Sequence, residues 1–383
     1  MKKYIALLLC AILILSLCSC KKEVAAKKEI TLLCCAEYLT EDLLKSFEKE
    51  YGITVKVEQL LSETEISEKL KADPTGYDLV IASDYTVNEL RLLNLLQPMD
   101  RNKIENAKNL DPAYSNFYFD PKNEYTIPLN VAAVLVAYNK KTCPLKVKSY
   151  ADLLNPKLKD QIVFLNSSNV LAGISNLYMG LDPISIEKLS ELPAHLTAFA
   201  ENTQSVHDYA AQEILASGKA SVGVMFNPQI AEAIQKNKDL QLVYPEEGFI
   251  LAADAIAYCS LDEPNISATQ FVNYLLTDTV NAKMIQNLSG CPTIKGSAEK
   301  MDKAYASVMG NILDSAQIQN GHFFCKIAPE IQREFDNLYI ESFREHLINL
   351  QMAYEAEEQA ALEAEQAEQA EQAQQAEQAE NQE

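Results

Sequence analysis

The chain has 383 residues, with 33 Lys and Arg against 54 Asp and Glu, giving a formal net charge of −21 at pH 7. That balance leaves no basic footprint for nucleic acid. Its length is enough for two cores, and 48% of its residues are hydrophobic.

The chain opens with Lys2 and Lys3, an apolar run from Ile5 to Leu17, and then Leu17-Cys18-Ser19-Cys20. A basic head, an apolar middle and small residues before a cut are the layout of a secretory signal. The run is too short for a stable membrane-spanning helix. The ending resembles the bacterial lipobox, which implies cleavage before Cys20 and acylation of its thiol. Acyl chains there would hold a soluble domain on a membrane surface outside the cytoplasm, at the periplasmic face or the cell surface. Lys21, Lys22, Lys27 and Lys28 would form a basic tether.

From Ile30 the patterns alternate. Ile30 to Cys35 reads as a buried strand, and Glu41 to Tyr51 as an amphipathic helix capped by Thr40 and ended by Gly52. Thr54 to Leu60 is a strand, Glu63 to Ala72 a helix, and Tyr77 to Ser83 a third strand. This order argues a parallel sheet flanked by helices. Ile127 to Tyr138 is a long apolar run interrupted by Asn130, long enough to cross between two sheets. Then come a helix start at Tyr150 to Leu154, a strand Ile162 to Leu165, and helices Val170 to Met179 and Ile184 to Phe199. A helix Asp208 to Ser217, a strand Ser221 to Phe226, a helix Ile230 to Gln235 and a strand Gln241 to Tyr244 follow. Phe249 to Tyr258 is a second candidate crossing. Helices Ala268 to Leu276, Ala282 to Leu288 and Pro329 to Tyr354 complete the body. From Glu355 the chain is almost entirely Ala, Glu and Gln, with ten Glu and no Lys or Arg. It reads as a solvated tail.

Two crossings make each lobe discontinuous and provide a two-strand hinge. The expected division is a signal peptide over 1–19, a tether over 20–29, lobe one over 30–135 with 255–300, lobe two over 136–254 with 301–352, and the acidic tail over 353–383. Six cysteines follow Cys20: Cys34, Cys35, Cys143, Cys259, Cys291 and Cys325. Their spacings match no zinc pattern. Disulfides are permitted outside the cytoplasm, and no pairing is assignable from the sequence.

Ile30-Thr-Leu-Leu-Cys-Cys-Ala-Glu-Tyr38, Phe47-Glu-Lys-Glu-Tyr-Gly-Ile-Thr-Val55 and Tyr77-Asp-Leu-Val-Ile-Ala-Ser-Asp-Tyr85 are similar to the opening of bacterial spermidine/putrescine-binding proteins. Leu110-Asp-Pro112, Phe119-Asp-Pro121, Tyr125-Thr-Ile-Pro128, Ser149-Tyr-Ala-Asp-Leu153, Asn155-Pro-Lys157, Pro245-Glu-Glu-Gly248 and Cys291-Pro-Thr293 follow in the same order. The resemblance spans Ile30 to Phe343. It implies a type II periplasmic-binding-protein fold of α/β class, with two lobes, each a mostly parallel sheet flanked by helices, and two crossover strands. It also implies an interlobe cleft, an ABC permease and ATPase as partners, a monomer, and no cofactor or metal.

A linear polyamine needs spaced carboxylates for its ammonium groups and aromatic faces for its carbons. Six positions match the family's pocket: Glu37, Tyr38, Ser83, Tyr85, Phe226 and Asp254. Strand ends in open α/β sheets are where ligands bind. Asp254 stands out because it lies inside an apolar run, where an unpaired carboxylate is costly. Each position also has a plainer role. Asp254 could be paired within the hinge, Glu37 and Ser83 could cap helices, Tyr38, Tyr85 and Phe226 could pack, and Asp84 could be a cap or surface acid. The family pattern has Trp at the positions of Cys35, Val131 and Ala252, an aromatic at Cys291, a Gln near Phe324, and two acids where this chain reads Asn166-Ser-Ser-Asn-Val170. This chain has no Trp. A shorter or less charged amine, another solute, or a surface lipoprotein without solute binding are the alternatives. His195, His207, His322 and His346 lack ligand spacing, and no phosphate loop, nucleophile elbow or His-Glu-x-x-His occurs, so an enzyme is not expected.

Overall fold

The computed structural model describes residues 28–35, 38–207, 210–259, 266–288, 290–303, 306, 315–325, 327–349 and 352. The expected signal peptide, Cys20 and the tether up to residue 27, Glu37 and the whole of the expected acidic tail lie outside them, while Glu29, expected in the tether, opens the first strand. Among the described residues no helix is long and apolar enough to cross a membrane.

The first half of the molecule carries β1 (Glu29–Cys34), α1 (Glu41–Tyr51), β2 (Thr54–Gln59), α2 (Glu63–Ala72), β3 (Leu79–Ser83) and α3 (Asp84–Leu92). β1 pairs in parallel with β2 and with β3. Local chemistry sets these elements. The Thr40 side chain accepts from Leu43 N to open α1, Leu43 and Phe47 turn inward, and Gly52 ends the helix at φ 67, where a β-carbon would be strained.

The short β4 (Leu96–Gln97) leads toward β5 (Thr126–Asn139). The second half then repeats the plan with β6 (Ile162–Leu165), α4 (Ser168–Tyr178), α5 (Leu192–Asn202), β7 (Thr203–His207), α6 (Ala211–Ser217), β8 (Val222–Phe226), α7 (Asn227–Lys236) and β9 (Leu240–Val243). β6 is parallel to both β7 and β8. The chain returns along β10 (Phe249–Cys259) and continues through α8 (Ile266–Leu275), α9 (Asp278–Asn287), β11 (Cys291–Pro292), β12 (Gly321–Phe323) and α10 (Pro329–Tyr339).

One sheet runs through both halves in the order β2-β1-β3-β10-β5-β8-β6-β7. β5 pairs with β10 along Thr126 to Val134, then with β8 and β9 from Val134 onward. β10 starts beside β12 and ends beside β3. Both crossings read from the sequence are therefore real, and each is antiparallel to the β1–β3 or β6–β8 strand beside it. Their side chains are almost wholly buried, which is why both read as near-continuous apolar runs. The β5–β10 register shifts between Asp254 and Ala255, a bulge that locally bends the strand.

Several expectations need correction. The helix expected over 184–199 begins at Leu192, where Pro193 fits the first turn, and a 3-10 turn, Leu189–Glu191, precedes it. The last helix is α-helical over Pro329–Tyr339, widens into a π-turn, Ile340–Arg344, and is α-helical again over 345–349. Ser83 ends β3, but Tyr85 lies in α3, the helix that follows it. Cys34 is buried, whereas Cys35 lies past the end of β1 and is half-exposed. All six described cysteines are thiols.

Segment 321–325 binds the halves together. β12 pairs with the start of β10, while the Phe323 ring lies 5.0 Å from Phe117, 5.4 Å from Tyr118 and 6.0 Å from Phe119.

Candidate functional site

The ends of β1 and β3, the start of α2 and the middle of β10 converge. Ser62 caps α2 by accepting from Glu65 N at 3.3 Å, which sets Glu63 at the first helical position. Glu63 then accepts the Ser83 backbone N–H on both carboxylate oxygens, each at 3.3 Å. Ser83 faces Asp254 across the β3–β10 ladder. Its hydroxyl reaches Thr86 Oγ1 at 3.3 Å rather than capping α3.

Asp254 receives hydrogen bonds from Asn130 Nδ2 at 3.0 Å and from the Tyr38 hydroxyl. Burial pushes its carboxyl up to about 6; the nearby Glu63 charge adds to this, and the hydrogen bonds from Asn130 and Tyr38 oppose it. Tyr38 is buried, and its phenol is driven well above the ordinary range by burial and by Asp254.

Asn130 is itself held. Its Oδ1 accepts Cys291 N at 3.0 Å, the Cys291 thiol accepts Asn227 Nδ2 at 2.9 Å, and Asn227 Oδ1 accepts Ala133 N at 2.7 Å. These bonds fix the amide so that Nδ2 faces Asp254. Gly290 makes this packing possible, because a β-carbon there would collide with the Asn130 amide.

Asp84, expected as a cap or surface acid, is instead 2% exposed. It accepts Tyr118 OH at 2.6 Å and Ala253 N at 3.3 Å. Burial drives its carboxyl up to about 7, the Asp254 charge contributes, and the hydrogen bonds oppose. Cys325 shares a side-chain hydrogen bond with Tyr118, and its thiol is raised chiefly by burial.

A cavity of about 470 Å³ opens between the halves, within the range of small-molecule sites. One wall is Glu63, Tyr85 and Glu89; the other includes Asn169, Phe324, Cys325 and Gln332. Phe324 approaches α4 so closely that a β-carbon on Gly173 would lie 2.9 Å from its ring. The 166–169 segment, which stands where the family pattern has two acids, is engaged by the C-terminal helix. Asn166 Oδ1 accepts Tyr339 OH at 2.5 Å and Arg344 at 2.9 Å, Ser168 Oγ donates to Asp336 at 2.6 Å, and Asn169 Nδ2 donates to Gln332 at 2.9 Å.

Of the positions singled out from the sequence, the structure brings Tyr38, Ser83 and Asp254 together, with Tyr85 on the nearby cavity wall at 36% exposure. Phe226 ends β8 in the other half, opposite Val134, half-buried against the core. Among the described lining residues of this cavity are Glu63 and Tyr85, but not Phe226, Tyr38, Ser83 or Asp254; the last three sit behind Glu63, which accepts the Ser83 backbone N–H. The reading missed Glu63 and Asn130. Asn130 had a signal, a polar interruption of an apolar run like that of Asp254; Glu63 resembled any acid in a helix's first turn. Among the described residues no cluster of His, Cys, Asp and Glu is placed to hold a metal.

The model of the bacterial extracellular solute-binding protein family matches residues 42–309. The chain belongs to this family. It is 30% identical over 276 residues to the spermidine/putrescine-binding periplasmic protein of Salmonella typhimurium, covering 69% of this chain and 77% of that one. It is 27% identical over 348 residues to spermidine/putrescine-binding periplasmic protein 1 of Haemophilus influenzae, covering 87% and 96%. The spermidine/putrescine ABC transporter substrate-binding protein PotD of Streptococcus pneumoniae superposes with a TM-score of 0.71 at 21% identity, covering 84% of this chain and all of that one. The fold is thus the two-lobed α/β binding-protein fold. As an extracellular solute-binding protein, this chain works outside the cytoplasm.

Proposed function

We propose that this solute-binding protein captures a polyamine or related small organic amine between its halves and delivers it to an ABC permease, while Cys20 carries lipid that keeps it at the membrane. The moving bodies are 30–135 with 255–300 and 136–254 with 301–352, hinged at β5 and β10. Its role is capture and delivery, without chemistry on the ligand.

One observation carries the reading. Asp254, on a crossing strand and next to Ser83, is held by Asn130 and Tyr38 with Glu63 nearby. Two carboxylates close enough to raise a pKa keep unsatisfied demand for a cation, and an ammonium meets it with charge-assisted hydrogen bonds. Tyr85 offers a half-exposed ring beside them for the methylenes or the cation. The names of the relatives point to the same ligand class.

Calorimetry with putrescine, spermidine and simple alkylamines tests it. At least one should bind with micromolar affinity or better, and Asp254→Asn should weaken that binding by about 10- to 100-fold, the share of one charge-assisted bond. An unchanged affinity in the variant, or silence from the whole panel, would refute the amine reading. Cys20→Ala should move the protein from the membrane fraction to the soluble fraction; continued membrane retention would remove the anchor from the proposal.

A further inference from the structure

The two walls of the 470 Å³ cavity differ in charge. On the first wall Glu89 is occupied, accepting Ser67 Oγ at 3.0 Å and pairing with Lys71 at 2.9 Å. Glu63 accepts only the Ser83 amide among the described hydrogen bonds, and a carboxylate has about four acceptor positions. Glu63 therefore has capacity to spare, and Asp254 is close enough to feel its charge.

Among the described residues no carboxylate lines the second wall, which is Asn169, Phe324, Cys325, Ile327, Pro329 and Gln332. The acids near it are turned to other work: Asp84, whose charge also acts on Cys325, accepts Tyr118 OH and Ala253 N. Asp336 accepts Ser168 Oγ at 2.6 Å and Gln332 Nε2 at 2.9 Å, and Asp182 accepts Ile184 N at 3.1 Å. Neither lines the cavity. The guanidinium of Arg344 adds a charge of the opposite sign at Asn166. An ammonium seated against Phe324, Ile327 and Pro329 would lose its hydration without gaining a counter-charge, which is strongly unfavourable. An alkyl chain fits that surface, and an amide fits Asn169 and Gln332.

Resting on the reading of the cleft as an amine site, we infer that its ligand carries a single ammonium, met jointly by Glu63 and Asp254, and an uncharged tail laid against the Asn169–Phe324 wall. A linear diamine of the same length is the wrong charge pattern for this cavity.

The test is calorimetry at fixed salt with three probes of matched backbone: putrescine, N-acetylputrescine and butylamine. The better of the two single-charge probes should bind at least about tenfold more tightly than putrescine. Asn169→Asp places a carboxylate on the neutral wall and should close or reverse that gap. Gln332→Glu, on the half-exposed side of α10, makes the same change independently should the first variant fold poorly. Putrescine matching or beating both single-charge probes overturns the inference while leaving the amine site intact. A gap that neither acidic variant narrows also overturns it, because the discrimination would then reside elsewhere. If none of the three probes binds, the amine reading itself fails and takes this inference with it.

Discussion

The two halves use one device twice, with different chemistry. β3 ends at Ser83 and α3 begins with Asp84, which reaches back to Ala253 N on β10 at 3.3 Å. β8 ends at Phe226 and α7 begins with Asn227, which reaches back to Ala133 N on β5 at 2.7 Å. In each case the first residue of a helix is buried and ties the strand–helix corner to a crossing strand. The first half uses a carboxylate and the second an amide. The architecture requires only an acceptor there; the choice of acceptor makes the first corner titratable and leaves the second indifferent to pH.

Substitutions at these corners break the comparison most strongly. Asn227→Leu removes the acceptor of Ala133 N and the donor to the Cys291 thiol in a dry interior. Stability to urea should fall by about 3 kcal/mol, two lost buried hydrogen bonds; a loss within error of zero would show the amide to be dispensable. Asp84→Asn makes the corners alike. Because burial raises the Asp84 carboxyl to about 7, the folded chain keeps a proton that the unfolded chain has released between roughly pH 4 and 7, so stability declines as pH rises through that window. The variant should lose up to about one proton's share of the decline, retaining a residual slope from Asp254, which has the same sign with its carboxyl near 6. Urea midpoints across the window check this, and an undiminished slope would place the titration elsewhere.

The ligand site sharpens the contrast with smaller effects. An ammonium prefers ionised Asp254, so affinity should fall about tenfold on going from about pH 7.5 to about pH 5, where a group titrating near 6 is mostly protonated. Calorimetry at the two pH values decides it, and a flat profile would remove Asp254 from the site. Gly290→Ala pushes a methyl group at the Asn130 amide. It should weaken amine binding by about threefold while costing about 1 kcal/mol of stability. An unchanged affinity would mean that Asn130 does not govern the orientation of Asp254.

Much of this was legible in the sequence. Strand–helix alternation through Ser83 and the two long apolar runs gave the parallel halves and the crossings, because burial on both faces writes itself as continuous hydrophobicity. Two polar interruptions, Asn130 and Asp254, marked the place where those runs meet, and they face each other in the ladder. What was hidden depends on distance in space. β7 (Thr203–His207) is half-exposed and mixed in character, so no periodicity announced it. Glu63 acquires its position only when α2 lies across the end of β3. The engagement of 166–169 by α10 joins residues about 170 positions apart, a pairing that no local pattern records.

Phe323 has a consequence for time rather than affinity. Its ring rests on Phe117, Tyr118 and Phe119 while its own strand is laddered to β10. For the halves to swing apart, one aromatic face must be peeled from three others and wetted. On the proposed reading, the cargo's dwell time is governed in part by a bolt that the cargo never touches, and trimming Phe323 would shorten residence while leaving the recognition groups in place.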